Sequence, residues 1–201
     1  MTDTNTRIVR EFLEAQEFSV LTNRKFQLQK AEPPGWYSID ILAKNLRYVE
    51  PEEPLPLKLH AEQMRFLPNV IVEVKGWHRH RFSPSLISPD LFHFVSPEAL
   101  EYAHHVFGDA PYKSLLIISE AAANEELWLK TEETLRAGGI NHVIDFPTIF
   151  SFLISYVEVN ANYVESETLQ LLRLLKRYDL VKGLQLELPF KARFSNPDCE
   201  E

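Results

Sequence analysis

The stretch "NVIVEVKGW", residues 69–77, places a glutamate and a lysine two positions apart in an otherwise apolar, β-branched segment. Such a segment is typical of a strand buried in a sheet. Burying one unpaired charge costs several kcal/mol, and charged groups tolerate burial only when they are paired, hydrogen-bonded or bound to a metal. Glu73 and Lys75 therefore need partners or a chemical role, and this requirement restricts the fold more than any other feature of the chain.

A second charged position lies in a strand-like segment upstream. Because side chains alternate across a strand, Glu73 and Lys75 point to the same face. In "WYSIDILA", Asp40 stands between Ile39 and Ile41, so pairing of the two strands would bring two carboxylates and an ammonium together. Carboxylates suit Mg²⁺ or Mn²⁺, which commonly bridge them to a substrate phosphate. The sequence thus predicts a divalent-metal site for phosphodiester cleavage, with Asp40 and Glu73 as ligands and Lys75 orienting the attacking water.

Composition excludes several other classes of site. The only cysteine is Cys199, so an intrachain disulfide or a zinc site built from cysteines is not expected. The histidines show no convincing zinc spacing. The six glycines form no G-X-G-X-X-G or Walker loop, which argues against a nucleotide-cofactor enzyme.

Length and charge set the remaining limits. The 201 residues, 45% of them hydrophobic, fit one domain with a sizeable core. No apolar run approaches the ~20 residues of a membrane span, and the N-terminus lacks the apolar centre of a signal peptide, so we expect a soluble, cytoplasmic protein without membrane contact. The net charge of -8 implies that any nucleic-acid contact is local, or is helped by a metal or a partner.

Hydrophobic periodicity and punctuation by Pro and Gly predict alternating elements through the middle of the chain. We expect helices near residues 6–18, 96–108, 124–139, 147–157 and 166–178, and strands near 18–28, 36–43, 69–77, 112–119 and 140–145. Residues 46–68 contain four prolines and are predicted to be an irregular insertion, with room for one short helix. The segment "LQLELPF", residues 184–190, is a candidate edge strand.

The order helix, strand, strand with Asp40, strand with Glu-X-Lys, helix, strand, helix, strand resembles the PD-(D/E)XK nuclease superfamily. The resemblance covers about residues 5–157. It implies an α/β, restriction-endonuclease-like core in residues 1–157, with a central mixed β-sheet flanked by helices, and a C-terminal helical extension of the same domain in residues 158–201. By that likeness Asp40 is the aspartate of the motif, Glu73 and Lys75 are its (D/E)XK, and the backbone carbonyl of Val74 completes the metal shell. Asp40 follows Ile39 here, so the written "PD" is absent.

The family often carries a further acid on the first helix. Three glutamates compete for this role, Glu11, Glu14 and Glu17, and Glu11 is preferred because it borders the apolar stripe of the helix at ~100° per residue. By spacing from Phe18, however, the position that carries the acid in related nucleases falls near residues 6 and 7, which are not acidic. A site without this acid therefore stays open.

A basic cluster follows the predicted site directly. We interpret it as a grip on a phosphate backbone, with Trp77 stacking on a base or packing in the core. Its members are Trp77, His78, Arg79, His80 and Arg81. The alternative is a solvated loop, since charge runs are usually solvated.

Two functions are compatible with these sequence features. The first is a Mg²⁺- or Mn²⁺-dependent nuclease acting on DNA, with RNA as the other candidate substrate. The second is a catalytically inactive domain of the same fold that binds nucleic acid or protein, in which Asp40, Glu73 and Lys75 form a salt-bridge cluster. A homodimer or another protein partner is compatible with either function.

Overall fold

The computed structural model describes residues 4–28, 35–76 and 78–181. They form an α/β structure in which a five-stranded mixed sheet is flanked by helices, as the sequence predicts. The strands are β1 (Phe18–Leu28), β2 (Gly35–Asn45), β3 (Asn69–Lys75), β4 (Tyr112–Ile118) and β5 (His142–Asp145). The helices are α1 (Thr4–Ala15), α2 (Pro97–Phe107), α3 (Glu125–Ala137), α4 (Phe146–Tyr156) and α5 (Glu167–Arg177).

The strands lie in the sheet in chain order, from β1 to β5. β2 is antiparallel to both of its neighbours, β1 and β3, whereas β3, β4 and β5 are parallel to one another. Lys75 pairs with Ile118, and Ile118 pairs with Asp145, so the carboxyl ends of the three parallel strands meet at one edge. In open α/β sheets this edge is where ligands bind.

Each face of the sheet carries its own apolar core. On one face, alternate strand residues such as Val70 and Val72 pack with α1, α4 and α5. On the other face, Ile71 and Leu116 pack with α2, α3 and the 3₁₀ turn at Pro89–Val95. Because β3 is covered on both sides, its residues 69–73 are all buried. Burial on both faces explains why this strand is a nearly continuous apolar run.

The helix boundaries follow from capping residues that the sequence displays. The side chains of Ser96, Asn124 and Ser166 each accept a hydrogen bond from the backbone N–H three residues later. Such caps satisfy amide groups that have no partner within the helix. Gly108 ends α2 at a φ of 64°, a conformation that glycine adopts without strain.

The insertion at residues 46–68 is more closely integrated than its prolines suggest. It contains a 3₁₀ helix, Ala61–Phe66, in place of the short helix that the sequence leaves room for. Before it, the backbone of Leu57 and Leu59 exchanges hydrogen bonds of 2.7 and 2.8 Å with Val143 of β5. The insertion therefore covers the β5 edge of the sheet, where proline does not interrupt a central ladder.

The C-terminal extension begins with a well-packed helix. Leu169 and Leu172 of α5 are buried in the core that α1 and α4 share. The candidate edge strand at residues 184–190 lies outside the described residues. Within the described part of the chain, no helix is both long enough and apolar enough to cross a membrane.

Candidate active site at the end of strands β2 and β3

Asp40 and Glu73 meet where β2 and β3 separate. The β2–β3 ladder ends at the pair Ile41–Val72, and the same register continued by one residue sets Asp40 opposite Glu73. Residues directly opposite in an antiparallel pair project from the same face. Beyond the last pair, the N–H of Val74 donates to Asp40 Oδ2 at 2.9 Å. The aspartate thus takes the place of the missing backbone partner and is held beside the glutamate.

Lys75 completes the group of charges that the sequence predicts. Its Nζ lies 2.6 Å from Glu73 Oε1, and the two side chains are 25% and 12% exposed. The lysine lies on the face of β3 that carries Glu73, two residues along the strand. One ammonium and two carboxylates therefore share a half-buried position at the end of a ladder.

The electrostatics of Glu73 reflect this crowding. Burial raises the pKa of Glu73 from its ordinary 4.5, and the neighbouring Asp40 carboxylate raises it further. Lys75 opposes both effects by its charge and its hydrogen bond, and the resulting pKa is about 7. Near pH 7 the Glu73 carboxyl is therefore about half ionised, and a cation bound beside it would favour its charged form. A cation is the natural complement of such a site.

Two carboxylates, with no third acidic group beside them in the described residues, are a small but sufficient protein donor set for Mg²⁺ or Mn²⁺. Mg²⁺ is usually held by one or two carboxylates and keeps several waters, which matches Asp40 and Glu73. The N–H of Val74 points to Asp40, and because the N–H and C=O of a strand residue point the same way, the Val74 carbonyl lies on that side as well. The described residues contain no group of three or more His, Cys, Asp or Glu side chains that could hold a metal by themselves.

Glu11 is not brought to this site. It lies on α1, which packs on the face of β3 that carries Val70 and Val72. Glu73 alternates with those valines and points to the other face. The structure therefore joins Asp40, Glu73 and Lys75 without the helix acid, and Glu11 as an auxiliary acid stays a prediction.

The predicted nucleic-acid loop is an excursion from the ladder between β3 and β4. Lys75 pairs with Ile118 before the loop, and Phe82 pairs with Ala121 after it. Between these two pairs the chain advances seven residues after β3 but only three after β4. Four residues of the first segment therefore have no counterpart and form an extruded loop. The extruded residues are His78, Arg79, His80 and Arg81, and all four are exposed. Trp77 lies outside the described residues.

Contacts that the sequence analysis missed hold this loop. Asn5 Oδ1 lies 3.0 Å from His78 Nε2, and Asn5 Nδ2 donates to the carbonyl of Gly76 at 3.5 Å. A Cβ at position 76 would lie 2.3 Å from Asn5 Nδ2, so any other residue would displace the asparagine. Ser119 donates to the carbonyl of His80 at 3.0 Å. The N-terminus of α1 and the end of β4 therefore fix the loop, an arrangement for which the sequence carries no local signal.

The sequence analysis also missed an ion pair between a buried aspartate and a partly exposed lysine at the same edge of the sheet. Asp145 ends β5, caps α4 through Thr148 and lies 2.7 Å from Lys58 Nζ of the insertion. Burial opposes ionisation of Asp145, but the bonds from Lys58 and Thr148 outweigh it and lower its pKa. The pattern Asp-Phe-Pro-Thr was an available signal, because an aspartate shortly before a proline is typical of a helix start.

Comparison with protein-family models, curated proteins and solved structures gives no match for this chain.

Proposed function

We propose that this protein is a divalent-metal-dependent nuclease of restriction-endonuclease-like fold that hydrolyses phosphodiester bonds of DNA. The observation that carries the proposal is the meeting of Asp40, Glu73 and Lys75 at the point where β2 and β3 separate. The raised pKa of Glu73 supports it, because titratable groups shifted by burial and by a neighbouring charge are frequent at active sites.

Each of the three residues has a distinct role in the proposal. Asp40 and Glu73 hold Mg²⁺ or Mn²⁺, which supplies charge neutralisation at the phosphate and a water of lowered pKa. Lys75 orients the attacking water and stabilises negative charge that develops on the phosphate. The Asp40–Val74 hydrogen bond positions the aspartate, so that less of its freedom is lost when substrate binds.

The architecture supports this proposal through the order of its elements. A helix precedes two antiparallel strands, the second of which leads into Glu-X-Lys on β3, and parallel strands alternate with helices afterwards. The basic loop follows Lys75 by three residues, at the edge where substrate would approach. A phosphate backbone held by Arg79 and Arg81 would thus lie close to the metal ligands.

One observation favours a second candidate function. Lys75 already forms a 2.6 Å ion pair with Glu73, and Asp40 already accepts a hydrogen bond from Val74. With no third acidic group in the described residues to complete a metal site, these contacts are also what an inactive domain would retain. Such a domain would bind nucleic acid or protein without cleaving it, since a fold can host unrelated functions.

Metal binding distinguishes the two candidates. Mg²⁺ or Mn²⁺ is expected to raise the melting temperature, because a ligand that binds only the folded state adds about 2.7 kcal/mol of stability at a hundred times its dissociation constant. Asp40→Asn and Glu73→Gln should lose this shift and the Mn²⁺-dependent cleavage of DNA, measured by thermal unfolding and gel assay. Glu126→Gln, which alters an exposed carboxylate paired with Lys130 on α3, serves as the control.

Glu11→Gln is read beside that control in the same assays. A loss of cleavage in Glu11→Gln, with cleavage retained in the control variant, would assign the helix acid a role. Full retention of the metal-induced shift in Asp40→Asn or Glu73→Gln would contradict the ligand assignment.

If the loop at residues 78–81 contacts DNA phosphates, its contribution to affinity should depend on the salt concentration. Replacing both arginines in Arg79→Ala/Arg81→Ala should weaken binding and reduce the slope of log K against log salt by about one unit per cation removed. Binding is measured by fluorescence anisotropy in Ca²⁺ over a range of salt concentrations. Arg136→Ala, an exposed arginine of α3 paired with Glu132, is the matched control. Equal slopes for the double variant and wild type would show that the loop is only solvated surface.

A further inference from the structure

A cavity of 350 Å³ lies at the carboxyl edge of the parallel strands, and the segments that follow all three strands form its walls. The extruded loop at 78–81 follows β3, Ser119 and Glu120 follow β4, and the first turns of α4 follow β5. Its volume is at the small end of the range for ligand sites. The loop begins three residues after Lys75, so it connects the cavity to the proposed active site along the chain.

The wall that α4 contributes is aromatic. Phe146 is 2% exposed and meets the His78 ring edge to face, with ring centres 4.7 Å apart. Phe150 lies one turn further on, 5.9 Å from Phe146 and only partly buried. Phe146 therefore supports the wall from inside, and Phe150 is the ring that a ligand can reach.

The opposite rim of the cavity is basic. Arg81 pairs with Glu120 at 3.0 Å, whereas Arg79 has no ion-pair partner in residues 4–28, 35–76 and 78–181. The N-terminus of α4 is already capped by Asp145, so its amide groups do not supply a phosphate site. A phosphate at this cavity would therefore be bound by the loop, and mainly by Arg79, because Arg81 is already paired with Glu120.

We propose that this cavity binds an unpaired nucleotide of a DNA strand, with the base against Phe150 and its phosphate beside Arg79. The inference rests on the proposed function and narrows the substrate to DNA with single-stranded character. An aromatic wall beside a basic rim is the combination that binds single strands, because each base offers a π-face and each phosphate a charge. Bases within a duplex are stacked on their neighbours and cannot present that face.

The test measures binding, so that it does not depend on cleavage. Three fluorescein-labelled probes are compared by anisotropy in EDTA and again in Ca²⁺: a single-stranded DNA oligonucleotide, an abasic oligonucleotide of equal length, and a blunt duplex. Wild type should bind the single strand at least about fivefold more tightly than the abasic probe. Phe150→Leu, which keeps an apolar side chain, should remove that preference and leave affinity for the abasic probe unchanged. Arg79→Ala should weaken binding of both single-stranded probes.

Phe152→Leu is the matched control, since Phe152 lies on the same helix but packs against Phe12 and Tyr156. It should bind all probes as wild type does, and urea unfolding checks that both leucine variants are folded. Equal affinity of wild type for the single-stranded and abasic probes, or an unchanged preference in Phe150→Leu, would overturn the inference. Failure of the nuclease proposal would be seen separately, as absence of Mn²⁺-dependent cleavage with the base preference intact.

Discussion

Lys75→Met is expected to slow Mn²⁺-dependent DNA cleavage by at least about a hundredfold, the usual contribution of a positioned proton-transfer or charge-stabilising group. The methionine keeps an unbranched apolar side chain in the space that the lysine stem occupies. It removes the ammonium that lies 2.6 Å from Glu73, so the pKa of that carboxyl should rise further. Because Glu73 can take up a proton near neutral pH, the variant is expected to fold. Single-turnover cleavage and urea unfolding are measured on the same samples.

Lys58→Met is the matched control for this prediction. Lys58 also pairs with a buried carboxylate at the carboxyl edge of the sheet, at 2.7 Å from Asp145, but it belongs to the insertion. Its loss should lower stability without slowing cleavage by the folded protein. The inactive-domain alternative expects a different pattern. Wild type would then cleave neither DNA nor RNA with any divalent metal, and Lys75→Met would cost roughly the 3–5 kcal/mol of a broken buried pair.

The meeting of Asp40, Glu73 and Lys75 was predictable because its signal is local to two strands. Alternation along β3 sets Glu73 and Lys75 on one face, and apolar neighbours on both sides of Asp40 mark a second buried strand. A buried charge among β-branched residues needs a partner, which leads to the pairing that the structure has. The sequence does not show that Asp40 accepts the Val74 amide, because that bond depends on where the β2–β3 ladder ends.

Features that depend on tertiary arrangement were not predictable. The helical wheel ranks Glu11 first among the glutamates of α1, but it does not say on which face of the sheet the helix packs. Likewise, Asn5 reaches the loop because the start of α1 lies beside Gly76, at a sequence separation of 71. The cavity beside Phe150 requires the carboxyl ends of three strands to coincide, which follows from strand order and register and not from any single segment.

The largest effect on stability is expected from Glu73→Gln, as a change in its dependence on pH. The pKa of Glu73 is about 7 in the folded protein, above its ordinary 4.5. Between these two values the folded state binds more protons than the unfolded state, so wild-type stability should fall as pH rises from about 4.5 through about 7. The shift corresponds to roughly 3 kcal/mol at most. Glutamine does not titrate, so the stability of Glu73→Gln relative to wild type should increase over that window.

Urea unfolding at a series of pH values measures this difference, with Asp145→Asn as a control of opposite sign. The pKa of Asp145 is lowered, so its stabilising contribution should be present near neutral pH and be lost as the pH falls below about 3.8. Mn²⁺ should reverse the wild-type trend, because the metal requires ionised carboxylates and therefore stabilises the protein more at pH 8 than at pH 5.5. If Glu73→Gln and wild type differ by a constant amount across this range, the pKa of Glu73 is not raised by its burial and by Asp40, and the prediction is wrong. An equal gain in stability on Mn²⁺ binding at both pH values would show that the metal is not bound by Glu73.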